Sequence, residues 1–385
     1  MKELHSTREE PPRVFLAGLR GGAQSREEAE ALTAELAGLA ETLGLTIAGS
    51  EIVRVREPNP RYGVGSGKAQ ELTEKALEAG AQCIVFDREI SPSQQRNWEA
   101  LSGISAVDRQ ELIIRIFASR ARTREAELQA ELAELLYALP RLTHKYVDLA
   151  RQRGGHRGAR GAGETRFETD KRLIRARIGE LRREIEEVRR RRQVRRGLRE
   201  RRETPVCALV GYTNAGKSSL HRALTGSDAL VEDKLFATLD PLSRRVSRLV
   251  NASEGDGASS VRRTIILSDT VGFIRRLPHH LVDAFRSTLE EAAQADILIH
   301  VTDAADPARK EHERTVLETL EELGAGNIPL IRALNKVDLL AGEDLDALKA
   351  EYAGETGSAG TALVSAKNKE GLEALWSLLE KKLTF

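Results

Sequence analysis

The chain has 385 residues, 31% of them charged, only two cysteines and a formal net charge of +1. That length exceeds one ordinary core and predicts two or three domains, while two isolated cysteines exclude a disulfide framework and a metal-ligand spacing. The near-neutral total conceals an asymmetry: residues 141–202 hold 22 Lys/Arg against 9 Asp/Glu, a net +13, and the remainder 38 against 50, a net −12. A segment that basic in an otherwise acidic chain points to polyanion contact at one place. With no signal peptide, lipidation motif or long apolar span, the sequence predicts a cytoplasmic protein with no membrane anchor.

Residues 13–17 read as a strand and 25–43 as a helix, with Leu32, Leu36, Leu39 and Leu43 on one face. Residues 52–55 are strand-like, 68–79 helical and 83–87 strand-like again, and Ser91-Pro92-Ser93 opens another helix. This alternation predicts a small parallel α/β domain over 1–110. Cys83 and Cys207, both in apolar runs, read as small buried hydrophobes. Between the second strand and its helix lies Tyr62-Gly63-Val64-Gly65-Ser66-Gly67-Lys68. It fits either a second phosphate cradle or a glycine-rich βα turn; the phosphate-loop spacing is absent and no Ser or Thr follows the lysine.

Residues 111–203 read as an antiparallel helical hairpin. Leu128, Leu132, Leu135 and Leu139 are spaced 4, 3, 4, and Ile174, Ile178, Leu181, Ile185 and Val188 are spaced 4, 3, 4, 3. These are the narrow stripes of a coiled coil. Pro140 predicts the end of the first helix. Residues 154–166, rich in glycine and arginine, predict a tip loop that cannot build a core of its own. Arg153, Arg157, Arg160 and Arg166, spread among glycines, suit the phosphates and bases of RNA. The arginines of 189–202 read as solvated helix surface.

Residues 204–385 carry the chemistry. Val206-Cys207-Ala208-Leu209-Val210 reads as a strand, and Gly211-Tyr212-Thr213-Asn214-Ala215-Gly216-Lys217-Ser218 follows it, with Ser219 opening a helix. Strand, glycine loop and helix in that order form a phosphate-binding loop: backbone N–H groups cradle the phosphates, Lys217 reaches the outer ones, and the Ser218 hydroxyl suits Mg²⁺. Asp269-Thr270-Val271-Gly272 ends a second apolar run; its carboxylate suits the Mg²⁺ shell and the Gly272 N–H the γ-phosphate. Asn335-Lys336-Val337-Asp338 ends a third run. The Asp338 carboxylate suits guanine N1–H and its N2 amino group, which adenine lacks, so GTP and GDP are the expected nucleotides. Ser365-Ala366-Lys367 closes over the base. All four lie where open α/β sheets bind ligands. Thr238, in Phe236-Ala237-Thr238-Leu239-Asp240, is the first-switch candidate, its hydroxyl completing the Mg²⁺ shell. Lys217, Thr238 and Gly272 are the candidates for a part in hydrolysis. Phe273 stands where a Ras-like protein has its water-orienting glutamine, which predicts slow turnover in isolation. Residues 251–260 form a polar hairpin-like insertion, 283–295 an apolar-striped helix and 371–382 a closing helix.

Over nearly its whole length the chain resembles the HflX family of translational GTPases. The likeness rests on Ser91-Pro92-Ser93-Gln94-Gln95-Arg96-Asn97, Arg120-Ala121-Arg122-Thr123-Arg124-Glu125, Gly161-Ala162-Gly163-Glu164-Thr165, the Phe236–Asp240 stretch and Asp269-Thr270-Val271-Gly272-Phe273-Ile274. The resemblance implies an N-terminal α/β domain, a coiled-coil hairpin and a Ras-like GTPase domain. It also implies binding to the large ribosomal subunit with the hairpin loop near the peptidyl transferase centre, and rescue of stalled ribosomes by splitting them under stress; a monomer is expected. ATP hydrolysis through the N-terminal region is reported for some members. Ala162, Arg166 and Phe167 depart from the family's usual Gly-Pro-Gly-Glu-Thr-Gln-Leu tip, and His221-Arg222 from its usual Phe-Asn. Many members carry a further C-terminal domain, whose role is expected to be absent or supplied otherwise. A GTP-switched assembly or hibernation factor, binding rRNA without remodelling it, is the alternative reading.

Overall fold

The computed structural model describes residues 11–22, 24–152, 160–200, 204–226, 235–236, 242–251, 260–276, 292–353 and 360–383; side chains of 143–152, 160–167, 192–200, 249–251 and 260–261 are not part of that description. Two compact units result. One holds the chain through Ser119 together with Glu131–Glu180, the other Arg120–Ala130 and the chain from Leu181 onward.

The first unit is a four-stranded, all-parallel sheet in the order β2-β1-β3-β4. Its elements run β1 (Arg13–Arg20), α1 (Arg26–Thr42), β2 (Thr46–Arg54), α2 (Ser66–Glu78), β3 (Cys83–Phe86), α3 (Pro92–Ser102), β4 (Ser105–Asp108) and α4 (Arg109–Arg120). Ser25 caps α1 by accepting the Glu28 N–H; of the predicted leucine stripe Leu32, Leu36 and Leu39 are fully enclosed, while Leu43 caps the helix end and is half-buried. Ser91 and Gln94 form a reciprocal capping box at α3 with Pro92 in the first turn, the arrangement that fixes a helix start. Around Gly63–Lys68 the buried Tyr62 meets Trp98 edge-on, and Trp98 Nε1 donates to the Tyr62 carbonyl at 3.0 Å. Lys68 is paired with Glu71 at 2.7 Å and Glu51 at 3.0 Å.

The hairpin helices are α5 (Arg124–Gln152) and α6 (Arg160–Glu200). Of the two stripes, Leu128, Leu132, Ile178 and Leu181 are buried, whereas Leu135, Leu139, Ile174, Ile185 and Val188 are half-buried. Arg177 grips Glu131 with two bonds, at 2.7 and 2.9 Å, and Arg124 pairs with Glu184 at 3.0 Å. Pro140 does not end α5. The helix runs through it, at a cost of about 3 kcal/mol in an interior position. The next residue supplies the compensation: Arg141 donates to Gln95 Oε1, the Ile90 carbonyl and Asp108 Oδ2 at 3.0–3.1 Å and lies over the Tyr137 ring. The tip reading also needs correction, because α6 already begins at Arg160 and takes in 161–166. Glycine costs about 1 kcal/mol per helical position relative to alanine, which a long, already nucleated helix absorbs. Arg153 and Arg157 lie outside the described residues.

The second unit carries a six-stranded sheet, order β10-β9-β8-β5-β7-β6, parallel except for β6 against β7. Its elements are β5 (Val206–Gly211), α7 (Lys217–Thr225), β6 (Leu242–Asn251), β7 (Ser260–Asp269), β8 (Ile297–Asp303), α8 (Arg309–Glu322), β9 (Leu330–Asn335), α9 (Gly342–Ala353), β10 (Thr361–Leu363) and α10 (Leu372–Lys382). The central strands β5 and β8 are buried along almost their whole length, which explains their unbroken apolar runs. Cys207 lies in that core and Cys83 is half-buried; burial pushes the Cys83 thiol up to about 12. Among the described residues no helix is long and apolar enough to cross a membrane.

Candidate nucleotide-binding site

Four parallel strands end at one edge of the second sheet and deliver the motif residues there. Gly211 ends β5, Asp269 ends β7 and Asn335 ends β9, while Ser365 follows β10. Any side chain at Gly211 would strike the Val301 carbonyl, and Gly216 has φ +90° beside the Asn335 amide. Only glycine satisfies both the close approach and the left-handed backbone. Lys217 then starts α7.

Lys217 is enclosed; its Nζ donates to the Gly211 carbonyl at 3.1 Å and the Tyr212 carbonyl at 2.8 Å. Burial lowers its pKa to about 8, against the opposing pull of Asp269. The Ser218 hydroxyl donates to Asp269 Oδ2 at 2.6 Å. A hydroxyl and a carboxylate side by side are hard oxygen donors, the set that suits Mg²⁺. Gly272 presses on the same loop: a Cβ there would sit 2.9 Å from Lys217 Nζ and from Thr213 Cα. Phe273 is fully buried and pairs by backbone with the loop, accepting from Thr213 N–H at 2.7 Å and donating to the Gly211 carbonyl at 3.0 Å. Thr270 Oγ1 donates to the Leu209 carbonyl at 2.6 Å, and Val271 is buried beside it.

The base-side motifs interlock with this loop. Asn335 Nδ2 donates to the Ala215 carbonyl at 2.9 Å, and its Oδ1 accepts the Ala366 N–H at 3.0 Å. One side chain thus ties the phosphate loop to the Ser365-Ala366-Lys367 turn. Ser365 Oγ donates to Asp338 Oδ1 at 2.6 Å, leaving the far side of that carboxylate available to a ligand. Lys336, in a left-handed conformation, pairs with Asp303 at 2.7 Å. Asp303 escaped the sequence reading, although its place at the end of the apolar run 297–303 was a usable signal. Phe236 is buried; Ala237, Thr238, Leu239 and Asp240 lie outside the described residues. His221 is buried with Nε2 3.3 Å from the Leu267 carbonyl, and burial lowers its pKa, so it belongs to helix packing.

Three family profiles match the chain in order: GTP-binding GTPase N-terminal over residues 30–118, GTP-binding GTPase Middle Region over 120–199, and 50S ribosome-binding GTPase over 206–336. The GTPase HflX of Akkermansia muciniphila is 44% identical, with 100% of this chain and 87% of that protein covered. The chain belongs to the HflX family of GTPases. The HflX of Lacrimispora saccharolytica is 42% identical over 99% of this chain and 85% of its own, and that of Escherichia coli 45% over 76% and 67%. As an HflX GTPase the protein is a GTP hydrolase with a P-loop GTPase domain.

The buried Lys217 is expected to make nucleotide binding pH-dependent. Phosphate oxygens would stabilise the ammonium form, whereas burial lowers its pKa to about 8. Affinity is therefore expected to be full below pH 8 and to fall as pH rises above it, with net proton uptake on binding near pH 8. Calorimetry of GDP binding from pH 7 to 9.5, in buffers of differing ionisation enthalpy, checks this; pH-independent affinity without proton uptake would contradict it.

Proposed function

We propose that this HflX-family GTPase binds GTP with Mg²⁺, docks in that state on the large ribosomal subunit through its basic hairpin, and splits or rescues stalled ribosomes. Within the site, Lys217 holds the β- and γ-phosphates, the N–H groups of Asn214 to Ser219 cradle them, and Asp338 with the Ser365–Lys367 turn reads guanine. Ser218, Asp269 and Thr238 are the proposed side chains of the metal shell. Mg²⁺ would neutralise charge that develops across the β- and γ-oxygens. Gly272 offers its N–H to the γ-phosphate, so the segment it begins responds to GTP and not to GDP. Phe273 has no hydrogen-bonding group for the attacking water, so the ribosome is the proposed source of the missing catalytic element.

The observation that carries the ribosomal part is the charge distribution. A net +13 over residues 141–202 sits in a chain otherwise at −12, and the arginines between α5 and α6 and in the first turns of α6, spread among glycines, suit RNA better than a protein core. Replacing Arg153, Arg157, Arg160 and Arg166 by alanine is expected to weaken large-subunit binding and flatten its salt dependence by roughly 0.7 per lost contact. GTP affinity of the free protein should stay unchanged. Binding to purified subunits across a salt series tests this, beside nucleotide affinity of the same variant. Unchanged affinity and slope would move the RNA contact away from the tip.

A further inference from the structure

The phosphate loop carries a residue its proposed phosphate chemistry does not need. A loop that cradles phosphates with backbone N–H groups asks nothing of the side chain at Tyr212, yet this one is large, buried and engaged on both sides. Its hydroxyl accepts the Arg275 N–H at 2.9 Å. Its ring lies flat against the His312 imidazole, centroids 3.7 Å apart and planes 11° from parallel. His312 Nδ1 is in turn 2.7 Å from Asp306 Oδ2, which orients the imidazole. Arg275 is held a second time, its guanidinium 3.0 Å from Glu311 of α8. Immediately afterwards Arg276 turns through a left-handed backbone, φ +56°, a conformation that persists in a non-glycine residue where its surroundings impose it. The chain that follows Gly272 is thus pinned at Phe273 by backbone bonds and again at Arg275 by Tyr212 and Glu311.

We propose that Tyr212 is a positioning residue for GTP hydrolysis: its hydroxyl fixes the backbone after Gly272 against the phosphate loop, with His312 and Asp306 as the support behind its ring. This rests on Gly272 addressing the γ-phosphate. With Phe273 buried and no glutamine beside Gly272, turnover depends on where the backbone of this segment stands. Arg275 stands three residues from Gly272, so drift there would be felt at Gly272 and hardly at the α- and β-phosphates. A support that merely stabilised the fold would act on GDP and GTP alike; a positioning residue acts on steps that need the γ-phosphate.

The test uses the full-length protein and four variants: Tyr212→Phe, His312→Ala, His312→Phe and Gly272→Ala. Single-turnover GTP hydrolysis and GDP affinity are measured on each. Tyr212→Phe keeps the stacked ring and loses one buried hydrogen bond, so hydrolysis should fall by about 3–10-fold, more than GDP affinity does. His312→Ala should reproduce that loss, and His312→Phe, which restores a flat ring, should recover most of it. Wild-type hydrolysis in Tyr212→Phe, or a parallel fall in GDP affinity, overturns the proposal, provided Gly272→Ala is impaired in hydrolysis. Should Gly272→Ala hydrolyse GTP normally, the γ-phosphate assignment itself fails and the proposal falls with it.

Discussion

Replacement of Lys217 by alanine is expected to reduce GTP affinity by roughly 100-fold or more and to abolish measurable turnover, with little change in thermal stability. The two halves of that expectation come from one environment. The ammonium is enclosed, and a shift from 10.5 to about 8 corresponds to about 3 kcal/mol of cost to the charged form at neutral pH. Removing the group relieves that cost. It also strips donors from the Gly211 and Tyr212 carbonyls, a loss of about 1–3 kcal/mol when such groups stay buried. The two effects oppose each other, so the melting temperature should move by only a few degrees. Binding has no such compensation, because the charge is what the phosphates require and a charge-assisted contact in a dry site is among the strongest available. Equilibrium binding of a fluorescent GTP analogue beside a thermal melt checks both halves. A variant that unfolds, or one that binds GTP normally, would refute the arrangement.

Asp338→Asn is expected to exchange base preference rather than destroy the site. The Ser365 hydroxyl donates to Asp338 Oδ1, and an asparagine carbonyl can still accept that bond, though without the charge that strengthens it, so the turn should hold. The other end of the side chain would then present an amide donor to guanine N1–H, a donor facing a donor. Loss of a buried, charge-assisted pair costs about 1–3 kcal/mol or more, so GTP affinity should fall by about 10–100-fold or further. Xanthine carries a carbonyl where guanine carries its amino group, and xanthosine triphosphate should recover binding. Competition between the two nucleotides reads the exchange directly; unchanged GTP preference would remove Asp338 from the base site.

The sequence made the nucleotide motifs legible because each is short, contiguous and placed after an apolar run. Their mutual bonds were not. Asn335 reaches Ala215 across 120 positions, and nothing in either motif announces it. The stacking of Tyr212 on His312 is hidden in the same way, since 100 residues separate two ordinary-looking side chains. In the first unit, β4 has only Ala106 and Val107 as apolar residues and is too short for periodicity to reveal; pairing with β3 makes it a strand. Pro140 misled because local helix rules carry no information about Arg141, whose partners Gln95, Ile90 and Asp108 come from elsewhere in that unit. Where tertiary contacts repair a local penalty, propensity alone gives the wrong boundary. The leucine stripe of α1 fared better for the converse reason: over Leu32, Leu36 and Leu39 local pattern and buried face coincide.

The central proposal, that GTP binding lets this protein part ribosomal subunits, is tested most directly by sedimentation of intact ribosomes through a sucrose gradient. Purified protein is added with a non-hydrolysable GTP analogue, with GDP, or as the Lys217→Ala variant with the analogue. The proposal predicts free subunits with the protein on the large one in the first case alone. Intact ribosomes carrying the protein, in amounts that do not depend on the nucleotide or on Lys217, would contradict it and leave an rRNA-binding factor that remodels nothing.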